Sequence, residues 1–333
     1  MKNSMKKIAF LALLIMVAGA AFAQTKTYTL DDINIRDPYI MPDEKSGTYY
    51  MYASSSVAEN GKVYGGMVAY KSRDLKTWEG PIRVFDVPRD NYTTGSVWAP
   101  EVHKYKGKYY LFATINSDVK WKGDKKGHPA YTHRSTQIFW SKSPEGPFLP
   151  FEDKIPHTPS EEMALDGTLW VENGVPYMIY CQEWVEVMDG KMNLIQLKKD
   201  LSGTVGTPQR LFCASAAEWS TGGGAEGNKS YVTDGCFLYR SKTGKLLMMW
   251  SSFKNGTYAV GIAESDTGKV LGPWRQQKEP IFVGGGHSML FTDFEGRLCL
   301  VLHSPNSPGG KERAKIFEVE DLGNTLRVKG PRK

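Results

Sequence analysis

The chain has 333 residues, 41% of them hydrophobic and 23% charged, and a formal net charge of +6. Three lysines and no acid fall within the first 23 residues, so the remaining chain of about 310 carries only +3. That is a nearly balanced surface without the concentrated basic patch that nucleic-acid binding requires, and its length suits either two ordinary domains or one large all-β domain.

The first element is not part of the fold. Lys2, Lys6 and Lys7 precede an uninterrupted apolar run from Ile8 to Ala18, and Ala21-Phe22-Ala23 supplies small residues at the spacing a signal peptidase reads. The segment is too short for a membrane anchor. The expectation is cleavage after Ala23, with no cysteine there for a lipid, and export to the periplasm or beyond the cell. No later apolar run is long enough to span a bilayer, so no membrane insertion is expected.

Helical periodicity is almost absent after residue 23. Short apolar and aromatic runs bounded by Gly, Asn and Asp recur instead, as strands do. Five segments share one layout, an opening polar residue, an apolar strand, a glycine turn and a stronger strand. In chain order these are Asp37-Pro38-Tyr39-Ile40 with Tyr49 to Tyr52, Glu101-Val102-His103 with Tyr109 to Phe112, and Asp166 to Trp170 with Pro176 to Tyr180. Asp234 to Leu238 with Leu246 to Trp250, and His287 to Phe291 with Leu298 to Val301, complete the set. Several repeats close alike, through Ser72 to Trp78, Ser143 to Phe148 and Ser265 to Trp274, each reading as a third strand followed by an edge strand. A period of roughly 50 to 70 residues fits four antiparallel strands, and radial repetition of such sheets is a β-propeller. Residues 24–333 therefore read as one five-bladed β-propeller domain, with a stacked β-solenoid as the alternative. The segment after Gly310 reads as a last strand, closing the ring with residues near Tyr28.

The four cysteines, Cys181, Cys213, Cys236 and Cys299, match no zinc spacing. Three of them sit in apolar strand-like runs and read as small buried hydrophobes.

In a propeller the first strand of each blade lines the central channel, so the residues opening the repeats should share one cavity. These are Asp37, Glu101, Asp166, Asp234 and His287. Crowded carboxylates raise one another's pKa, and burial raises it further. Four acids at matching points of a repeat therefore suit glycoside hydrolysis, in which one carboxyl protonates the leaving oxygen and another acts ionised. The other reading of each acid is a strand-start residue satisfied by backbone N–H groups. Calcium would suit the same oxygens, although the loop pattern of a dedicated calcium site is missing.

At these residues the chain resembles glycoside hydrolase family 43. The motifs are Arg36-Asp37-Pro38-Tyr39-Ile40, Trp98-Ala99-Pro100-Glu101-Val102, Leu165-Asp166-Gly167-Thr168 and Gly285-Gly286-His287-Ser288. The resemblance implies an inverting enzyme acting on α-L-arabinofuranosides or β-D-xylosides, with Asp37 as general base and Asp166 as the acid that orients the site and tunes the proton donor. It implies that His287 sits beside a water-coordinated calcium, and no cofactor is otherwise expected. Glu101, Glu183, Trp98 and His287 are the candidate substrate contacts. Trp98 is either a sugar-stacking platform or an inter-blade core residue. The carbohydrate partner would be an arabinose- or xylose-containing glycan, and the chain is expected to act as a monomer.

One position departs from the family pattern. The general acid is commonly a Glu in a Glu-Gly-Pro context, and here Asp234-Gly235-Cys236 aligns with it. An Asp reaches roughly 1 Å less, and a misplacement of that order can cost about a hundredfold in rate. Asp234 stands first as the acid. Glu183, where the second strand of the third repeat returns to the cavity rim, stands second. Glu218 and Glu226, on a loop with Gly222-Gly223-Gly224, stand third as lid residues. The alternative of a different class is a glycan-binding propeller that has lost its proton donor.

Overall fold

A computed structural model describes residues 26–121, 131–224 and 229–332, and the expected signal peptide and Glu226 lie outside them. The strands form five separate antiparallel sheets arranged as the blades of a propeller. The innermost strands are Tyr39–Asp43, Val97–Tyr105, Ala164–Glu172, Asp234–Arg240 and Gly286–Thr292. Each pairs with a second strand, respectively Thr48–Glu59, Lys108–Trp121, Val175–Gln182, Leu246–Lys254 and Leu298–Ser304. Among the described residues the only α-helical turn is Trp184–Val187, on blade 3.

The second strands are apolar on both faces because both faces are buried between neighbouring blades. In blade 3, Met178 and Tyr180 pack toward Phe112 and Ile138 of blade 2, whereas Ile179 and Cys181 pack toward Met248 and Trp250 of blade 4. In blade 4, Leu247 and Met249 turn the other way, onto Leu290, Leu300 and Leu302 of blade 5. The strict alternation of side chains along a strand thus stitches each sheet to two neighbours, and each fully buried Leu, Ile or Met contributes roughly 1.5–3 kcal/mol. All four cysteines are free, and Cys181, Cys236 and Cys299 are buried in this way.

Ring closure differs from the expectation. Arg313–Asp321 and Leu326–Pro331 complete blade 5 without help from the N-terminal segment, and Thr27–Tyr28 instead joins the outer edge of blade 1 against Trp78 and Glu79. The seam between blades 5 and 1 is closed by the segment that follows Tyr28. The Ile35 N–H donates to the Glu312 carbonyl at 3.2 Å, the Asn34 Nδ2 to the same oxygen at 3.0 Å, and Arg36 pairs with the Glu312 carboxylate at 3.1 Å.

Candidate active site

Each inner strand enters the channel through the same backbone irregularity. In blades 2 to 5 the register shifts between Trp98 and Glu101, Leu165 and Thr168, Asp234 and Phe237, and Gly286 and Met289. Inside each shift one residue is left-handed: Ala99 (φ 41°), Asp166 (55°), Gly235 (54°) and His287 (51°), matched in blade 1 by Asp37 (53°). Such a conformation costs a non-glycine residue of order 1–3 kcal/mol and marks places where the surroundings impose geometry. The equivalent positions are therefore Asp37, Ala99, Asp166, Gly235 and His287. Asp37, Asp166 and His287 stand where the repeat placed them.

The other two expected channel residues are displaced. Asp234 comes one residue before the left-handed position, on a par with Trp98. Glu101 comes two residues after it, and it does not line the mouth cavity. The bulge carries its side chain down the channel, where Oε2 lies 2.8 Å from His103 Nε2, whose other ring nitrogen lies 3.3 Å from the Tyr39 hydroxyl. The fourth carboxylate of the cavity is Glu183 instead.

The strained positions are held by the preceding blade. The Asp166 N–H donates to Thr114 Oγ1 (2.9 Å), the His287 N–H to Ser251 Oγ (2.8 Å) and the Asp37 N–H to His303 Nδ1 (3.2 Å). Thr114, Ser251 and His303 occupy one position in three repeats, where the second strand regains the mouth. Blade 3 offers no such hydroxyl to blade 4, and the Gly235 N–H is bound by the Asp166 carboxylate at 3.0 Å. The orientation of Asp166 is thus fixed by its backbone on one side and by Gly235 on the other.

The cavity has a volume of about 550 Å³ and is lined by Arg36, Asp37, Trp98, Asp166, Glu183, Asp234, Tyr258 and His287 among others. Its carboxyls are driven apart in pKa. Burial opposes ionisation of Asp37, but the His287 and His303 imidazoles and the Arg36 guanidinium outweigh it and hold the group below the usual carboxylate range. Asp37 Oδ1 lies 3.3 Å from His287 Nδ1 and 3.2 Å from His303 Nδ1. Burial and the charges of Asp234 and Asp37 push Asp166 well up. Asp234 is raised chiefly by burial, opposed by His287 and by the Tyr258 hydroxyl, which donates to its Oδ2 at 2.9 Å. Burial pushes Glu183 to about 7, against the pull of Arg134. One ionised carboxyl facing others that hold protons is the division of labour an acid–base pair needs.

Three residues that the repeat pattern did not identify as functional support this arrangement. Tyr258 holds Asp234, and Arg36 faces both Asp37 and Asp234. Arg134 is buried, with Nη1 3.0 Å from Glu183 Oε2, close enough for an ion pair but without hydrogen-bond alignment. Its guanidinium carbon lies 4.5 Å from the ring centre of Trp98, a cation–π distance. Trp98 itself is 41% exposed on the cavity wall and is not an inter-blade core residue. A signal for Arg134 existed in the sequence, a lone permanent charge inside a strand, Tyr131–Ser141, whose polar residues are mostly buried. Glu218 does not reach the cavity. It is exposed and lies beside Asp266, Arg275 and Lys278.

Among the described residues no three His, Cys, Asp or Glu side chains converge to hold a metal ion. The oxygens of Asp37 and Asp166 that approach His287 are committed to that ring and to the Gly235 N–H. These residues do not form a direct calcium cage. A cation beside His287 would rest on one imidazole and water.

Residues 32–319 match the glycosyl hydrolases family 43. Among solved structures, an endo-arabinase from Bacteroides thetaiotaomicron VPI-5482 is similar with a TM-score of 0.76 and 38% sequence identity, over 88% of this chain and 96% of that one. An endo-1,4-β-xylanase from the same organism shares the fold at 23% identity and a TM-score of 0.69, over 92% of this chain and 97% of that one. An α-L-arabinofuranosidase 43 from Humicola insolens is 21% identical over 216 residues, 61% of this chain, and the chain spans 41% of that relative's length.

Proposed function

The chain belongs to glycosyl hydrolase family 43, and on that premise we propose that it cleaves α-L-arabinofuranosidic bonds of plant-type polysaccharides or oligosaccharides with inversion, β-xylosides being the neighbouring substrate class. The observation that carries the acid–base part of this reading is the contrast within one cavity between Asp37, held ionised by His287, His303 and Arg36, and Asp234, raised by burial; the arabinoside class rests on the likeness to the endo-arabinase. Asp37 takes a proton from a water as its oxygen bonds to the anomeric carbon. Asp234 gives its proton to the departing glycosidic oxygen as that bond breaks. Asp37 then releases its proton to solvent and Asp234 takes one up, so the net change is one water consumed per bond. Asp166, fixed by Thr114 and Gly235, stands close enough to Asp234 that the two buried carboxyls resist ionising together, which supports a protonated donor. Trp98 offers its exposed face to the sugar ring. Calcium held through water beside His287 fits this reading, and no step depends on it. Function outside the cytoplasm as a monomer belongs to the same proposal.

Glu183 is a second candidate donor on one specific observation, its pKa of about 7 at the cavity wall. Hydrolysis of aryl α-L-arabinofuranoside, aryl β-D-xyloside and arabinan separates the readings when Asp234→Asn and Glu183→Gln are assayed beside the parent. The expected result is turnover of the arabinosides and a loss of about 10²–10⁴-fold on poor leaving groups in Asp234→Asn. A comparable loss confined to Glu183→Gln moves the donor to blade 3. No turnover on any substrate, with sugar still bound, makes the protein a glycan binder.

A further inference from the structure

The mouth face carries a second hollow that the proposed chemistry leaves unused. The second strands of blades 1 and 2 are 12 and 14 residues long, against 8, 9 and 7 in blades 3 to 5. The extra length lies beyond Ser54 and Thr114, so these two hairpins rise above the mouth. The segment 91–95 is clamped between them, with the Gly95 N–H donating to the Asn116 carbonyl (3.0 Å) and the Gly65 N–H to the Thr94 carbonyl (3.3 Å). The space enclosed is about 510 Å³, close to that of the catalytic cavity.

Its walls mix polar and apolar side chains, and three of the apolar ones are uncovered. Val63, Tyr92 and Val119 are 63%, 53% and 57% exposed, three of the eleven exposed large hydrophobic residues among the described ones, gathered in one hollow. Exposed apolar side chains scattered singly need no explanation, but a cluster marks a binding place. The aromatic walls are fixed in advance. The Tyr64 ring lies 3.8 Å from the Arg89 guanidinium, itself paired with Glu59, and Trp121 stands edge-on to His133 with ring centres 4.6 Å apart. Rigid rings lose little freedom on binding, and flat aromatic faces with Lys62 and Asp118 at the edge offer both the apolar surface and the hydrogen-bonding partners of a sugar. Among the described residues its lining holds one carboxylate, Asp118, and no facing pair, so nothing there argues for a second catalytic centre.

The occupant follows from continuity. Gly95 lines this groove, and Trp98, three residues on, lines the catalytic cavity. His133 lines the groove as well, and its chain neighbour Arg134 lies against Trp98, so two segments connect the hollows. We propose that the groove is a second glycan-binding site, which holds a further stretch of the same polysaccharide whose bond is cut at the centre. It rests on the glycosidase reading for its connection to the cavity, while binding in the groove is separable from cleavage.

The test uses Tyr92→Ala and Val119→Ser, both exposed positions, each checked for an unchanged thermal midpoint. Polysaccharide binding is measured by retardation in gels containing arabinan, arabinoxylan or xylan, in an Asp37→Asn background. Cleavage is read as the ratio of kcat/KM on polymer to kcat/KM on an aryl glycoside. The expected result is about tenfold weaker retardation by at least one polymer and a matching fall in the ratio, the scale of losing one well-placed aromatic contact. Retardation within twofold of the parent by every polymer overturns the proposal, whether or not the parent hydrolyses anything. Hydrolysis by the parent with an unchanged ratio in both variants overturns it while leaving the proposed function standing.

Discussion

The inner strands of blades 1 and 4 enter the channel through the same left-handed step, yet they carry their carboxylates one residue apart. In blade 1 the stepped residue is Asp37 itself, with its N–H on His303 and its carboxylate against His287. In blade 4 the stepped residue is Gly235, and Asp234 precedes it, tied to Tyr258 with Asp37 as an unfavourable charged neighbour. Burial opposes ionisation of both and His287 and Arg36 favour it in both, but His303 adds its pull on Asp37 alone, so that Asp37 goes down while burial prevails at Asp234. What an acid does in this cavity is set by its place on the bulge more than by its distance along the repeat.

The sharpest way to break the contrast is to remove the ionised member. Asp37→Asn keeps size and shape but cannot take the water's proton, and kcat is expected to fall by about 10³–10⁴ with no loss of thermal midpoint. Parent-like turnover in that variant would sink the assignment of the base. A smaller effect comes from giving blade 4 the side chain that blade 1 tolerates. At Gly235 a Cβ would lie 2.8 Å from His287 Cγ and 2.9 Å from its Cα, at a φ of +54°. Gly235→Ala is expected to cost about 1–3 kcal/mol of stability, and to lower activity through the displaced His287, read by thermal unfolding and kcat together. The mildest change sharpens the comparison. Tyr258 lowers the pKa of Asp234 by donating to it, so Tyr258→Phe raises that pKa and Asp234 keeps its proton to higher pH. The alkaline limb of the kcat profile should move upward, with kcat on the plateau within a few-fold of the parent. An unmoved limb would point to Glu183 as the group that titrates.

Much of this is legible in the sequence. The repeat of opening polar residue and apolar strand located all five blades, and it placed Asp37, Asp166 and His287 on the channel because those three occupy the stepped position itself. It misplaced Glu101 because matching by charge ignores the bulge, which turns two residues of offset into a different level of the channel. Arg134 escaped for another reason. Its partners, Trp98 and Glu183, lie on two other strands, and a pattern read along one chain segment does not contain a contact made across three. The closing of the ring was misread because Tyr28 lies in a strand-like run, while the contacts that close the seam are made by the less regular segment from Asn34 to Arg36.

That seam has a consequence for the cavity as a whole. Asp37 opens the first blade, yet the groups that hold it, His287, His303 and, through Arg36, Glu312, all come from the fifth. Four finished blades would therefore still leave Asp37 without the groups that hold it. The surroundings of Asp37 are complete only when the last blade meets the first, so the cavity is a property of the closed circle and of no single blade.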